Sequence, residues 1–257
     1  MKGLNSRHQY ILEKIEKDGF ISVSDLCRDL DVSAVTIRKD LQMLENKKLL
    51  FRNHGGASAR SIYTFEKNVN EKETIQTEQK QKIAKAALAL IDSNDFIILA
   101  SGTSIHYLAR EIANAKFERL TVLTPALKVS AELTKNMFVN TVQLGGEVRK
   151  SSTSVIGTLA EDVLKQFSCN KLFLGVDGID LVQGFTTSNA QEAYLNRLMI
   201  ERADERVILS DSSKMGKKGF AKICDLKDID TLVTDSGISE KDLLMLQKEG
   251  INVIIAD

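Results

Sequence analysis

The stretch Ser33-Ala34-Val35-Thr36-Ile37-Arg38-Lys39-Asp40-Leu41-Gln42-Met43-Leu44 carries two messages at once. Ile37, Leu41 and Leu44 recur at i, i+4 and i+7, which puts them on one face of a helix, and Ser33 has the hydroxyl to cap it. The opposite stripe shows Thr36, Lys39 and Gln42, with Arg38 beside it. Upstream, residues 5–17 place Ile11, Leu12 and Ile15 on one helical face, with Gly19 as a stop. Ser22 with Asp25 three positions on resembles a capping box opening a second helix, whose Leu26 and Leu30 point inward. Asp31-Val32 is a brief turn. Downstream, Leu49-Leu50-Phe51-Arg52 has the pattern of a strand running into the turn signal His54-Gly55-Gly56.

Two helices joined by so short a turn form a helix-turn-helix, whose second helix can lie in the major groove. Thr36 and Arg38 sit at the end of that helix which meets base edges. Arg38 and Lys39 suit either phosphates or guanine O6/N7, and the sequence does not choose between them. The hairpin with Arg52 and His54 would be a wing along the backbone. Ser33, Thr36, Arg38, Lys39, Gln42, Arg52 and His54 are therefore the candidate DNA-contacting set. The competing reading is an amphipathic three-helix module whose polar face is merely solvated or binds a protein.

Charge distribution favours nucleic acid. The chain of 257 residues holds 35 basic and 35 acidic side chains, yet residues 1–60 carry a net +3 and the remainder a net −3. From Val32 to Arg60 six basic residues face only Asp40 and Glu45. A hydrophobic share of 43% against 27% charged excludes a disordered or fibrous chain. Three widely spaced cysteines, Cys27, Cys169 and Cys224, exclude a disulfide framework and a cysteine-based zinc site. No apolar run approaches a bilayer's thickness, and MKGLNSRHQYILEK lacks the apolar core of a signal peptide. The expectation is a cytoplasmic protein with no membrane partner, no metal and no cofactor.

Polar, charge-alternating sequence from Ser58 to Gln81 marks a junction. The expected organisation is a DNA-binding domain at 1–60, a linker at 61–77 and an α/β domain at 78–257. The last shows helical periodicity at 78–91, then short apolar strands at Phe96–Ala100, Leu120–Thr124, Thr141–Leu144, Leu172–Val176, Val207–Leu209, Thr231–Val233 and Val253–Ile255. Helical patterns fall between several of them, near 105–113, 126–134, 157–166, 189–203 and 239–248. Such alternation indicates a mostly parallel sheet covered on both faces.

Four loops follow strands, where ligands of open α/β sheets gather. Ser101-Gly102-Thr103-Ser104 opens a helix and offers free N–H groups to an anion. Leu144-Gly145-Gly146 lets backbone approach a ligand, with Arg149 nearby. Gly175-Val176-Asp177-Gly178-Ile179-Asp180 supplies carboxylates for sugar hydroxyls, and Asp211-Ser212-Ser213-Lys214 a cation for phosphate. Each loop taken singly is ordinary turn and capping chemistry; the four together point to a small phosphorylated polyol.

The string running from Ser24-Asp25-Leu26 through Val32-Ser33, Thr36-Ile37-Arg38-Lys39-Asp40-Leu41 and Leu44 to Arg52-Asn53-His54-Gly55-Gly56-Ala57 resembles the winged helix-turn-helix of the DeoR family of bacterial transcription regulators. The resemblance covers residues 4–57 and continues over 66–257, whose domain is similar in turn to ribose-phosphate isomerases and glucosamine-phosphate deaminases. It implies a winged helix-turn-helix ahead of an α/β effector domain. Phosphate would sit on Gly102, Thr103, Ser104 and Lys214, with polyol contacts near Asp177. Gly145, Arg149 and Gly178 complete the candidate effector set together with Glu192, which matches a family position and either bonds a sugar hydroxyl or caps its own helix. Two residues depart from the family pattern: Ser104 replaces Thr, and Thr124-Pro125 replaces Thr-Asn. The implied function is a repressor of a sugar-catabolism operon, modulated by a phosphorylated sugar. It would act as a homodimer or homotetramer, since one small head buries little surface on DNA.

The rival is an isomerase or deaminase fused to a DNA-binding head, with Asp177, Asp180 or Glu192 as base. Similar isomerases carry a Lys–Gly-rich loop where this chain has Leu181-Val182-Gln183-Gly184-Phe185, without lysine. His106 falls in an apolar helical pattern, and His8 is expected to face solvent. No catalytic residue is assigned. A third alternative, an adaptor using both modules for protein contacts, predicts DNA binding with little salt dependence.

Overall fold

A computed structural model of the chain describes residues 4–18, 20–47, 49–53, 55–58 and 68–257. The chain divides into two compact units, Met1–Tyr63 and Thr64–Asp257. The expected stop at Gly19, the turn residue His54, the boundary at Arg60 and the 61–67 part of the linker lie outside the described residues.

In the first unit α1 (Ser6–Asp18), β1 (Phe20–Ser22), α2 (Val23–Leu30) and α3 (Ala34–Asn46) precede the wing strands β2 (Phe51–Asn53) and β3 (Gly56–Ser58). Ser22 Oγ accepts from Asp25 N at 3.0 Å and donates to the Asp25 carboxylate at 2.6 Å, so the cap expected from sequence forms. Asp31, at φ 51°, ends α2 in the left-handed region. Ile11, Ile15, Leu26, Ile37, Leu41, Leu44 and Leu50 close one core, each contributing roughly 1.5–3 kcal/mol by burial. The wing strand begins at Phe51 rather than Leu49, because Leu50 is drawn into that core. β3 lies between β1 and β2, and β1 is too short to show any periodicity.

His8 corrects an expectation. Instead of facing solvent it is 5% exposed, with Nε2 3.1 Å from Asp40 Oδ1. The reason is periodic: positions 8, 11 and 15 share one stripe of α1, so the imidazole lies on the same face as Ile11 and Ile15. Arg7 also donates to Asp40, through Nη2 at 3.0 Å. Burial alone would raise the Asp40 carboxyl, but these donors outweigh it and hold it below its ordinary value.

The second unit opens with α4 (Val69–Glu73) and α5 (Thr77–Leu88). There follow β4 (Phe96–Leu99), α6 (Thr103–Asn114), β5 (Leu120–Thr124), α7 (Leu127–Leu133), β6 (Val139–Gln143) and the hairpin β7 (Glu147–Arg149)–β8 (Ser154–Ile156). Next come α8 (Thr158–Leu164), β9 (Cys169–Gly175), β10 (Gly178–Asp180), β11 (Gly184–Thr187), α9 (Ala190–Glu201) and β12 (Ala203–Leu209). β13 (Ala221–Cys224), β14 (Thr231–Asp235), α10 (Glu240–Lys248) and β15 (Asn252–Ala256) complete it.

All seven strands expected from the apolar runs join one sheet, in the order β15-β14-β12-β9-β4-β5-β6, and every pairing in it is parallel. Alternation along β4 sends Ile97 and Leu99 to one face, against Ile83, Ile105, Leu108 and Ile112. Ile98 goes to the other, with Leu172, Leu174, Met199 and Ile208. A smaller antiparallel sheet, β10-β11-β13, covers part of that second face. The strand order reverses between β4 and β9, and such a switch point opens a crevice at the carboxyl ends of the two strands. Among the described residues no helix is long and apolar enough to cross a membrane.

Candidate functional site

On α3 the outward stripe forms as its spacing requires. Arg38, Lys39 and Gln42 are exposed, and Thr36 is half-buried. Ser33 caps the helix, accepting from Thr36 N at 3.3 Å, and its hydroxyl lies 3.0 Å from that of Thr36. Arg52 is less free than an isolated wing cation. Its side chain donates to Gln42 and lies 3.8 Å from Glu45, while its backbone N donates to Glu45 Oε1 at 2.9 Å. Glu45, which no surface pattern singled out, thus ties the wing to the recognition helix. Of the candidate DNA-contacting residues only His54 lies outside the described ones.

At the crevice between β4 and β9 the chain brackets a cleft of about 310 Å³, open solvent at its mouth included. Gly102 and Thr103 form one wall. Gly102 takes φ 132°, a backbone conformation side chains rarely adopt, and a Cβ there would meet Gly175 Cα at 3.9 Å. The loops after β4 and β9 are therefore packed together, and the first N–H groups of α6 open at their junction. Arg149, from β7, and Glu192, in the first turn of α9, form a second wall and pair with each other. Glu192 also accepts from Ser101 Oγ at 2.7 Å. The cap of α9 is supplied by Asn189, whose side-chain Oδ1 accepts from Glu192 N, while the Glu192 carboxylate lines the cleft.

Sequence reasoning missed the remaining lining: Val69 and Lys72 on α4, with Ser151, Ser152 and Ser188. Lys72 and Val69 belong to the polar stretch taken as linker, where a five-residue helix leaves no periodic signal. Lys72 Nζ donates to Asp177 Oδ1 at 2.6 Å. The other Asp177 oxygen accepts from Ser188 N at 3.1 Å and from Ser188 Oγ at 2.8 Å. Asp177 is itself buried behind the lining and positions Lys72 and Ser188. Burial would raise its carboxyl, but the charge and hydrogen bond of Lys72, then Lys214 and Ser188, bring it below the ordinary value.

Other candidates stand elsewhere. Ser104 is buried in the first turn of α6, and Gly145 is exposed in the loop after β6 and does not line the cleft. At Gly178 any Cβ would collide with the carbonyl of Lys217, which accounts for glycine there by packing. Lys214 ends a short 3-10 turn, Ser212–Lys214, in which Ser213 bonds Asp211 and Ser212 bonds Asp235. It does not line the cleft, though its charge reaches Asp177. Pro125 is buried, and its carbonyl accepts from Val155 N at 2.9 Å, tying the end of β5 to β8.

Asp180 accepts from Val182 N at 3.0 Å and Gln183 N at 2.7 Å, closing the β10–β11 turn. Glu73 on α4 receives His106, Arg110 and Lys128 at 3.2, 2.9 and 2.9 Å, and it is held below its ordinary value by the Lys128 hydrogen bond above all. Lys80, 4% exposed, donates to the carbonyls of Lys72 and Ile75, and burial lowers it to about 8. Among the described residues no group of acidic, histidine or cysteine side chains is placed to hold a metal ion.

Comparison with known proteins meets this geometry from the other side. A model of the DeoR-like helix-turn-helix domain matches residues 7–62, and one of the DeoR C terminal sensor domain matches residues 75–236. The lactose phosphotransferase system repressor of Staphylococcus epidermidis (strain ATCC 35984) is 34% identical over 235 residues, 90% of this chain and 92% of that protein. The HTH-type transcriptional regulator GolR of Listeria innocua is 33% identical, with 98% of each chain covered. Among solved structures, ribose 5-phosphate isomerase A from Neisseria gonorrhoeae aligns over 55% of each chain at 14% identity, with a TM-score of 0.41, too loose a likeness to carry an argument. The recognition helix, the parallel sheet and the two matched regions agree, and the chain belongs to the DeoR family of transcription regulators.

Proposed function

We propose that the chain represses a sugar-catabolism operon and releases its operator when a phosphorylated sugar enters the cleft between β4 and β9. The observation that carries this reading is the cleft's composition: the start of α6 and two cations, Lys72 and Arg149, lie beside Ser151, Ser152, Ser188 and the Glu192 carboxylate. Helix N–H groups and cations suit a phosphate, and hydroxyls and carboxylates suit a polyol. The repressors it resembles, one of them named for a lactose phosphotransferase system, support a sugar as the class. A base for aldose–ketose chemistry should titrate near neutrality. Lys72 instead draws the Asp177 carboxyl below its ordinary value, which makes it a weaker base and favours sensing over turnover. A DNA partner supports a cytoplasmic location, and a homodimer or homotetramer would supply the paired half-sites that specific binding needs.

Fluorescence anisotropy on duplex DNA from upstream of the protein's own gene tests this. Binding should weaken steeply with added salt, and one phosphorylated sugar from a panel should release the DNA while its free sugar does not. Salt-sensitive binding that no panel member alters would remove the cleft assignment. Absence of specific binding would remove the operator reading.

A further inference from the structure

We propose that Lys72 is a ligand residue of the effector cleft, and that α4 is the lever by which occupancy of the cleft reaches the DNA-binding unit; this rests on the reading of the cleft as a sugar-phosphate site. A five-residue helix is far too short to persist alone. α4 is held in place by contacts with the sheet domain. Val69 N donates to Ser151 O at 2.7 Å, and Asn70 Oδ1 accepts from Lys128 Nζ at 2.8 Å. Lys72 reaches Asp177, and Glu73 is gripped by His106, Arg110 and Lys128. Lys80 closes the far end by donating to the carbonyls of Lys72 and Ile75. Two of these attachments belong to the cleft wall itself, since Val69, Lys72 and Ser151 all line it. In sequence, α4 is the first described element after the wing strand β3, so whatever shifts α4 acts on the chain that leads to the recognition helix.

The charges define what can move it. Lys72 and Arg149 are each already neutralised, by Asp177 and Glu192. An incoming phosphate at the start of α6 competes with Asp177 for Lys72, and drawing Lys72 away leaves a buried carboxylate without its cation. Hydroxyls on the same ligand can satisfy that carboxylate, whereas inorganic phosphate or a free sugar supplies only half of the exchange. The ligand class is therefore one molecule bearing a phosphate and neighbouring hydroxyls, and the exchange loosens Lys72 from Asp177 and shifts α4.

The test uses the full chain on its operator duplex, with ribose 5-phosphate, glucose 6-phosphate, galactose 6-phosphate and fructose 1-phosphate as probes and inorganic phosphate and the free sugars as controls. In the wild type, the probe that releases DNA should change hydrogen exchange at amides 69–73 as well as at 102–106, and the controls should change neither. K72Q should bind that probe about tenfold or more weakly, the order expected for losing one charge-assisted contact. E73Q should bind within about threefold of wild type, because Glu73 does not line the cleft, yet fail to release DNA at saturation. Release is expressed relative to each variant's own effector-free affinity. If K72Q melts early, K72R keeps the charge and should bind more tightly than K72Q. Wild-type affinity in K72Q overturns the ligand role of Lys72. Full release by E73Q, or unchanged exchange at 69–73 beside protection at 102–106, overturns the lever. A wild type that binds DNA but no probe overturns the cleft reading and this inference with it.

Discussion

Lys72 and Asp177 lie 105 positions apart in sequence and meet at 2.6 Å, joining a helix from the junction between domains to the loop after the central strand β9. Because Asp177 also fixes Ser188 through two hydrogen bonds, one buried carboxylate sets two features of the cleft wall at once.

Asp177→Asn therefore removes the charge that Lys72 was placed to meet. With Lys72 partly solvated, the expected loss is about 2 kcal/mol of sensor-domain stability, below the range for a fully buried pair. Calorimetry of the full chain checks it, and an unchanged sensor transition would mean that the pair contributes nothing net.

Arg38→Ala should weaken operator binding by about 1–3 kcal/mol and leave the melting temperature unaltered, because the side chain is exposed on α3. Comparing salt dependence separates its two roles. A flatter slope with unchanged base preference marks a phosphate contact; relaxed preference at one base pair marks readout.

Asp40→Ala should destabilise the DNA-binding unit by about 2–3 kcal/mol, since it strands the buried His8 and the Arg7 guanidinium. Asp40 is on the buried side of α3, away from Arg38 and Lys39, so operator affinity at low temperature should survive while its thermal midpoint falls. Anisotropy followed through a temperature ramp distinguishes this from a direct contact.

The sensor domain should lose stability as pH falls below neutrality. Burial, then the Arg110 charge, holds His106 below its ordinary value, so the unfolded chain takes up that proton first and folding is penalised from the ordinary histidine value down through the folded one. Glu73 and Asp177 are likewise depressed. Their stabilisation is complete above the unfolded carboxylate values and is lost as pH drops through the folded ones. Melts should decline first as pH falls below the ordinary histidine value and again below the ordinary carboxylate values, and His106→Gln should flatten the upper decline only.

Gly178→Ala should unfold the β10–β11 hairpin or abolish soluble expression, because the added methyl overlaps the Lys217 carbonyl, which is backbone and has little room to yield. Normal stability in this variant would return Gly178 to the candidates for ligand contact.

Much of this molecule was legible because its signals are local. Ser22 and Ser33 announced their helices through capping chemistry, and seven apolar runs marked the seven strands of one parallel sheet. The loop at Gly102 is legible for the same reason, since it opens a helix after a strand, whereas Glu192 stands out only through the family resemblance. Polar residues whose meaning lies in a distant partner were not legible. His8 looked solvent-facing until Asp40 was placed beside it, and Lys72 and Glu73 were two charges among many in a polar stretch.

By itself, then, the sequence determined the helix-turn-helix, the outward stripe of Arg38, Lys39 and Gln42, and the alternation that builds a parallel sheet. Periodicity and capping depend only on neighbours within a few residues. Tertiary structure alone decided which loops border the cleft, that Asp177 holds Lys72 and Ser188, that Lys214 stands outside the lining, and that α4 belongs to the sensor domain. Those facts depend on strand order: chain reversal between β4 and β9 brings together residues 105 positions apart, and no pattern along the chain records it.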